Sequence, residues 1–398
     1  MLSAPTGKIN KAKHAIVIGA GLAGSNIAER LAARGWLVDI IEAGNSVASG
    51  ASGNPAGIVL PQIAKDDALP ARFSRLCYDY LLQRLRQLPA CDWHQCGVLQ
   101  IARDGAHELQ QAAAIEALQL PAEFVEFVPR LRAQEIAGQT LAHGAWWFSQ
   151  GGWLMPGSLC SALLALRDSH IKCHFNTKIS HLSYGNNLWH AYSADSELVA
   201  AAPHIVLANA FAANELLEHP LPLKIIRGQI SCAPATTLPK IDSVLCRTGY
   251  LTPAHNGRVS FGASFINDDS DLSIRTNEHA ENLQRLHEVL PQFDISKVNI
   301  GQLTGRAALR TVTPDRMPIV GAVPADIATP PRVVTLANLD RVPGLHALLG
   351  LSARGIVWAP LAAEHLACAM NQELSPLPQN IGNAIDAGRF VLRALRQH

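Results

Sequence analysis

Residues 19–24 read Gly19-Ala20-Gly21-Leu22-Ala23-Gly24, three glycines at the spacing a backbone needs to wrap a pyrophosphate. In such a turn Gly19 permits the tight bend and Gly21 lets the main chain approach the phosphates. Gly24 lets the following helix pack closely on its strand, and the helix start turns its free N–H groups toward the negative charge. Glu42 closes the next β-rich run, where a carboxylate accepts hydrogen bonds from an adenosine ribose. An acidic group there argues against a 2′-phosphorylated cofactor and leaves NAD and FAD both open. A glycine-rich turn with no ligand is the competing account.

Three other stretches carry candidate chemistry. Residues 50–57, GASGNPAG, are too rich in small residues for an ordinary connection. A ligand lying against this backbone would contact Ser52, Gly53, Asn54 and Gly57; a flexible surface loop is the alternative. Residues 349–356, LGLSARGI, again set small residues before a helix, so that Arg354, Gly355 and Ile356 would face an electron-rich part of a cofactor. A left-handed turn with a structural arginine explains the same text. Residues 306–321, RAALRTVTPDRMPIVG, put Arg306 and Arg310 in an apolar, strand-like run. A guanidinium there needs a carboxylate, supplied either by the protein as a structural salt bridge or by a substrate.

Metal chemistry is not expected. The eight cysteines, at 77, 91, 96, 160, 173, 232, 246 and 368, show no paired spacing. There is no CxxC and no HExxH, and the 16 histidines do not cluster with carboxylates along the chain. They read as reduced thiols and ordinary histidines.

The elements that position these residues follow from periodicity. A short apolar run at 14–18, HAIVI, suits a strand buried on both faces; helical spacing follows at 22–34, then a β-rich run at 36–41. Long helical patterns are expected at about 67–88, 107–118, 157–168 and 356–370. The run HIVL at 204–207 suits a return to the N-terminal sheet, and strands alternating with turns between 224 and 265 suggest an antiparallel sheet. The fold class is therefore α/β. A Rossmann-like dinucleotide domain, discontinuous over about 1–90, 150–215 and 325–398, stands beside an α+β substrate domain over 91–149 and 216–324, built on a mixed or antiparallel sheet.

A chain of 398 residues with 48% hydrophobic and 16% charged residues has ample material for two packed lobes. A formal net charge of +1 gives no support to a strongly basic nucleic-acid binder, though a local patch can hide in a neutral total. Arg72, Arg75, Arg84 and Arg86 recur on one predicted helix and either track phosphates or line a solvated face. Residues 1–13 hold no apolar signal core, and the apolar stretch 344–370 is interrupted by Arg354 and Glu364, so no membrane association is expected and a cytoplasmic location is.

The order of these four signals resembles the D-amino-acid-oxidase-like flavoenzymes, among them glycine and sarcosine oxidases. The resemblance implies FAD as cofactor and oxidation of a CH–NH bond. It matches Arg310 to the arginine presented to a substrate carboxylate, and residues 354–356 to the loop beside the flavin. Arg354 is a second candidate for substrate or flavin contact, and Gln62 is a candidate for the pocket lining through its closeness to the flavin loop. Sarcosine oxidases link FAD through a cysteine in the region of 306–318; none lies between 246 and 368 here, so the cofactor is expected to be non-covalent.

Longer strings, including ASGNPAGIVLPQIAKDDALPARF, QGGWLMPGSLC, GYLTP, GASF and RAALRTVTPDRMPIVGAVP, are similar to the oxidoreductase-domain family of the bifunctional tRNA-modifying MnmC proteins. That resemblance implies a tRNA substrate whose wobble uridine carries a carboxymethylaminomethyl group. The products would be the 5-aminomethyl form and glyoxylate, and a separate methyltransferase would act on the former. Only about a dozen residues precede the first strand, so the chain is expected to be a stand-alone version or an excised half without methylation activity. The alternatives are an oxidase of free glycine or sarcosine, and a non-catalytic RNA-binding scaffold that keeps FAD for stability.

Overall fold

The protein is described here by a computed structural model covering residues 13–325 and 335–396; the N-terminal stretch examined for a signal core lies outside them, apart from residue 13. The apolar run HAIVI forms the strand His14–Ile18, buried from Ala15 onward. It pairs in parallel with Leu37–Ile41 on one side and His204–Leu207 on the other, so the late apolar run does rejoin the N-terminal sheet. Among the described residues this sheet has six strands, in the order Ile319–Pro324, Arg341–Leu349, His204–Leu207, His14–Ile18, Leu37–Ile41, Ile171–His174. Only Ile319–Pro324 runs antiparallel to its neighbour.

Such a sheet must be covered on both faces, because its strands are apolar all round. Helices Leu22–Ala32, Leu69–Leu85, Pro156–Ala165 and Gly355–Met370 supply one core. The helix Gly355–Met370 is buried on nearly every side and packs against both Leu22–Ala32 and Leu69–Leu85. The opposite face is covered by a three-stranded antiparallel sheet, Ile179–Gly185, Leu188–Ser193 and Leu198–Ala202.

The second large sheet is mixed. Its long strand Lys224–Pro234 pairs antiparallel with both Arg258–Gly262 and Thr304–Val312, while Val244–Cys246 runs parallel to Val98–Ile101. The helices Thr276–Val289 and Arg130–Ala137 bury Leu283, Leu286, Val289, Ala133 and Ala137 against it. A small sheet of Gly57–Val59, Gly152–Leu154 and Trp93–His94 lies between the larger ones in sequence and follows directly from the 50–57 loop. Among the described residues no helix is long and apolar enough to cross a membrane.

Candidate active site

The glycine turn does what its spacing requires. Gly19 has a φ of +100°, a conformation that a side chain strains. A Cβ on Gly24 would sit 1.7 Å from the Gly19 carbonyl oxygen, so only glycine lets Leu22–Ala32 settle against its strand. The Glu42 carboxylate lies beside this turn, accepting from the Ala20 N–H at 2.8 Å and the Gly44 N–H at 2.9 Å. Its unused lone pairs remain for a ribose hydroxyl.

The 50–57 loop is ordered by the other signals. Ser52 Oγ accepts from the Leu22 N–H at 2.9 Å, placing the loop against the helix start. Gly57 lies against Ile356, whose Cδ1 would be 2.2 Å from a Cβ at that position. Arg306 Nη1 donates to Asn54 Oδ1 at 3.2 Å, and Nη2 donates to the Ser49 carbonyl at 2.9 Å and to that of Gly50. A Cβ on Gly53 would lie 2.7 Å from the same nitrogen. Four signals far apart in the chain thus meet in one place.

They enclose a cavity of about 380 Å³ whose lining includes Gly21, Ser52, Asn54, Gly57, Arg310, Gly355 and Ile356. Gly19, Gly24, Glu42 and Gly53 are not part of this lining; the first two shape the turn beneath Gly21, and Glu42 accepts from the Ala20 N–H in the same turn. Two expected contacts fall elsewhere. Arg354 is exposed, its guanidinium carbon 5.6 Å from the Trp358 ring centre, although its neighbours Ala353 and Gly355 line the cavity. Gln62, selected only by closeness in sequence, is not part of the lining, and its N–H donates to Ser74 Oγ.

Arg310 is the feature that asks for a ligand. Alternation along Thr304–Val312 puts Arg306 and Arg310 on one face of the strand, the first reaching the loop and the second the cavity. The Arg310 guanidinium folds across Gly228, where a Cβ would lie 1.8 Å from Nη1. Nη1 donates to the Ser264 carbonyl at 3.4 Å, and the Phe265 ring centre lies 4.5 Å from the guanidinium carbon. Among the described residues no carboxylate lies within ion-pair distance of it. Burial works against its charge, partly offset by Tyr250 beside it. Burial pushes the Tyr250 phenol well up, so it remains an O–H donor aimed at the same region, with Arg310 opposing that shift. A guanidinium and a phenol in a pocket without an internal anion can together bind a carboxylate.

The structural salt bridge weighed for this stretch exists, but at Asp315. Its carboxylate accepts from Arg389 Nε and Nη2, both at 2.9 Å, and from Arg393 Nη1 at 2.7 Å. Burial pushes the Asp315 carboxyl up, but Arg389 outweighs it and brings it down to about 2.

Sequence reasoning missed Tyr250, Gly228 and Phe265. Tyr250 and Phe265 belong to the GYLTP and GASF strings, but nothing in their spacing pairs them with Arg310. It also kept histidines and carboxylates apart, whereas Asp92, His94 and His255 come together. His94 Nε2 is 2.7 Å from one Asp92 oxygen and His255 Nε2 is 3.0 Å from the other. The separation of residue 255 from the other two hid that group. The arginines at 72, 75, 84 and 86 do not form a free basic stripe: Arg75 pairs with Asp67 at 2.5 Å and Arg84 with Glu29 at 2.9 Å.

Residues 14–369 match the family described as FAD dependent oxidoreductase. The chain is similar to proteins named tRNA 5-methylaminomethyl-2-thiouridine biosynthesis bifunctional protein MnmC. It is 40% identical over 391 residues to that of Azoarcus sp. (strain BH72), covering 96% of this chain, and 42% identical over 390 residues to that of Aromatoleum aromaticum, covering 97%. It spans 61% of the length of each relative. In fold it is similar to glycine oxidase from Geobacillus kaustophilus, with a TM-score of 0.72 and 19% identity, covering 92% of this chain and 96% of that one. L-proline dehydrogenase from P. horikoshii gives a TM-score of 0.74 at 19% identity, covering 96% and 99%.

Proposed function

The chain belongs to the FAD dependent oxidoreductase family, and from that premise we propose that it oxidises the CH–NH bond of a carboxymethylaminomethyl group on the wobble uridine of tRNA. Two electrons and a proton pass to the flavin oxidant, and water then splits the resulting imine, so that the carboxymethyl group leaves as glyoxylate and the 5-aminomethyl base remains. The observation that carries the reading is Arg310, a guanidinium without an internal carboxylate, in the same cavity as the glycine turn. The relatives, named for a tRNA modification, supply the substrate class.

The cavity fits FAD on its own geometry. Glycine at 21 and 57 leaves bare backbone in the cavity lining where the start of Leu22–Ala32, the small-residue loop and Ile356 meet: a Cβ on Gly21 would lie 2.9 Å from Ser52 Oγ, and one on Gly57 2.2 Å from Ile356 Cδ1. Gly19, Gly21 and Gly24 with Ser52, Gly53 and Asn54 would hold the pyrophosphate, Glu42 the ribose, and Gly57, Gly355 and Ile356 the ring end. When bound, FAD supplies the two-electron oxidant. Its attachment is non-covalent in this reading. Cys246, the cysteine of the cavity lining, has its thiol pushed up to about 12 by burial and stays protonated.

The chain's own residues bind and align. Arg310 and the Tyr250 hydroxyl hold the substrate carboxylate, fixing the adjacent methylene in one orientation. Apolar lining from Ala56, Ile58 and Ile356 keeps water from the reacting carbon until the bond is oxidised. Arg354 is left a role at the rim. In domain terms, 1–90, 150–215 and 325–398 hold the cofactor and 91–149 and 216–324 the substrate; the sheet pairing of Ile319–Pro324 argues for moving the last boundary to 318. A cytoplasmic location and a separate methyltransferase that takes the product amine belong to the same reading.

The deciding experiment is nucleoside mass spectrometry of tRNA bearing the carboxymethylaminomethyl group, before and after incubation with the FAD-loaded protein. Conversion to the aminomethyl nucleoside is expected. Intact tRNA together with flavin bleaching by glycine or sarcosine would establish a free-amine oxidase instead, and no bleaching by any donor would establish a scaffold.

A further inference from the structure

Phe265 is a large apolar side chain left 51% exposed at the cavity, of whose lining it is part. One side of the ring is occupied by the Arg310 guanidinium, 4.5 Å from its centre. Its backbone is held firmly: the preceding Ser264 carbonyl accepts from Arg310, and Ser264 Oγ accepts from the Gln229 N–H at 2.9 Å and donates to Glu278. Glu278 pairs in turn with Arg227, and both side chains are almost wholly buried at 1% and 0% exposure. An anchored aromatic ring with a wet side, in the cavity lining beside Arg310, carries a desolvation gain that the protein alone does not collect.

We propose that the solvent-facing side of Phe265 is a stacking subsite for a flat aromatic or heteroaromatic ring attached to the substrate amine. The preferred substrates are then N-(arylmethyl)glycines rather than glycine or sarcosine. The inference rests on Arg310 holding the substrate carboxylate. A carboxylate there leaves the other end of a short methylene–amine–methylene spacer beside Phe265, because guanidinium and ring are adjacent. A glycine-sized substrate leaves the subsite wet. A pyrimidine ring fills it, and stacking tolerates any ring with a π face, so a phenyl group is a fair probe.

The test uses two ethers that bind without being oxidised at nitrogen: (benzyloxy)acetate, which carries a ring, and methoxyacetate, which does not. Their dissociation constants are measured by calorimetry on the FAD-loaded protein and on Phe265→Ala and Phe265→Trp. In the unaltered protein the benzyl ether should bind more tightly by about tenfold or more. That ratio should collapse toward one in Phe265→Ala and persist in Phe265→Trp. A ratio near one in the unaltered protein, or the same ratio in Phe265→Ala, overturns the subsite while leaving the carboxylate site intact. Failure of both ethers to bind the unaltered protein overturns the carboxylate site and the subsite with it.

Discussion

Arg306 and Arg310 share a residue type, a strand and a face, yet one ends in carbonyl and amide oxygens of the 49–54 loop and the other in an open cavity. That difference decides which of them waits for a ligand. Replacing Arg310 by Ala should leave FAD content unchanged and lower kcat/KM on the modified tRNA by about a hundredfold, the cost of one charge-assisted hydrogen bond in a largely buried site. Flavin absorbance and steady-state kinetics check both halves; full activity in the variant would remove Arg310 from the role. The sequence marked Arg306 and Arg310 alike as guanidiniums in an apolar strand that need an anion, and only the family resemblance singled out Arg310. Tyr250 and Gly228 were not, because they reach it only through strand pairing, Gly228 by lying opposite Ala308 across the ladder.

The helix Leu22–Ala32 and the strand before it form one unit whose closeness depends on a single missing methyl group. Gly24→Ala would drive a Cβ to within 1.7 Å of the Gly19 carbonyl, and neither backbone can yield without moving the glycine turn. The substitution should cost about 1–3 kcal/mol in denaturant unfolding and weaken FAD binding together with it. Unchanged stability with normal flavin retention would show that the helix has room to shift. This element was readable because a glycine turn, a short strand and a helix are all local in sequence. The 50–57 loop was not decidable from its own text: its order comes from Ser52 against Leu22, Gly57 against Ile356 and Arg306 against Asn54, contacts with remote segments.

At the scale of the whole molecule, the six-stranded sheet brings His204 and His346 together from distant segments, their ring centres 5.7 Å apart. Burial lowers the His346 imidazole, and the nearby His204 lowers it further, to about 3. The unfolded chain takes up a proton near the ordinary histidine value of 6.5 while the folded one does not, so stability is full above that pH. It falls as the pH drops from about 6.5 toward 3, by at most about 1.4 kcal/mol per pH unit from this group. His346→Leu should therefore flatten the acid side of the stability profile between pH 6.5 and 4.5, as measured by urea unfolding at several pH values. An unchanged slope would assign the acid sensitivity to other groups.

The sequence by itself determined what is short-ranged: the strand–turn–helix unit with Glu42, the alternation that puts Arg306 and Arg310 on one face, and the apolar run at 204–207 that rejoins the first sheet. The first two follow from a period or a steric rule acting within a few residues; for the third the sequence showed only a buried-strand run, and the pairing itself is long-ranged. Only the tertiary structure decided which arginine is satisfied and which is not, that Asp315 rather than Arg310 carries the structural ion pair, that the Arg354 guanidinium lies over Trp358 rather than in the cavity lining, and that Phe265 stands half-exposed in that lining. Those outcomes depend on which strands become neighbours. Strand pairing joins residues as far apart in the chain as Ala15 and His204 without leaving a local pattern for the sequence to display.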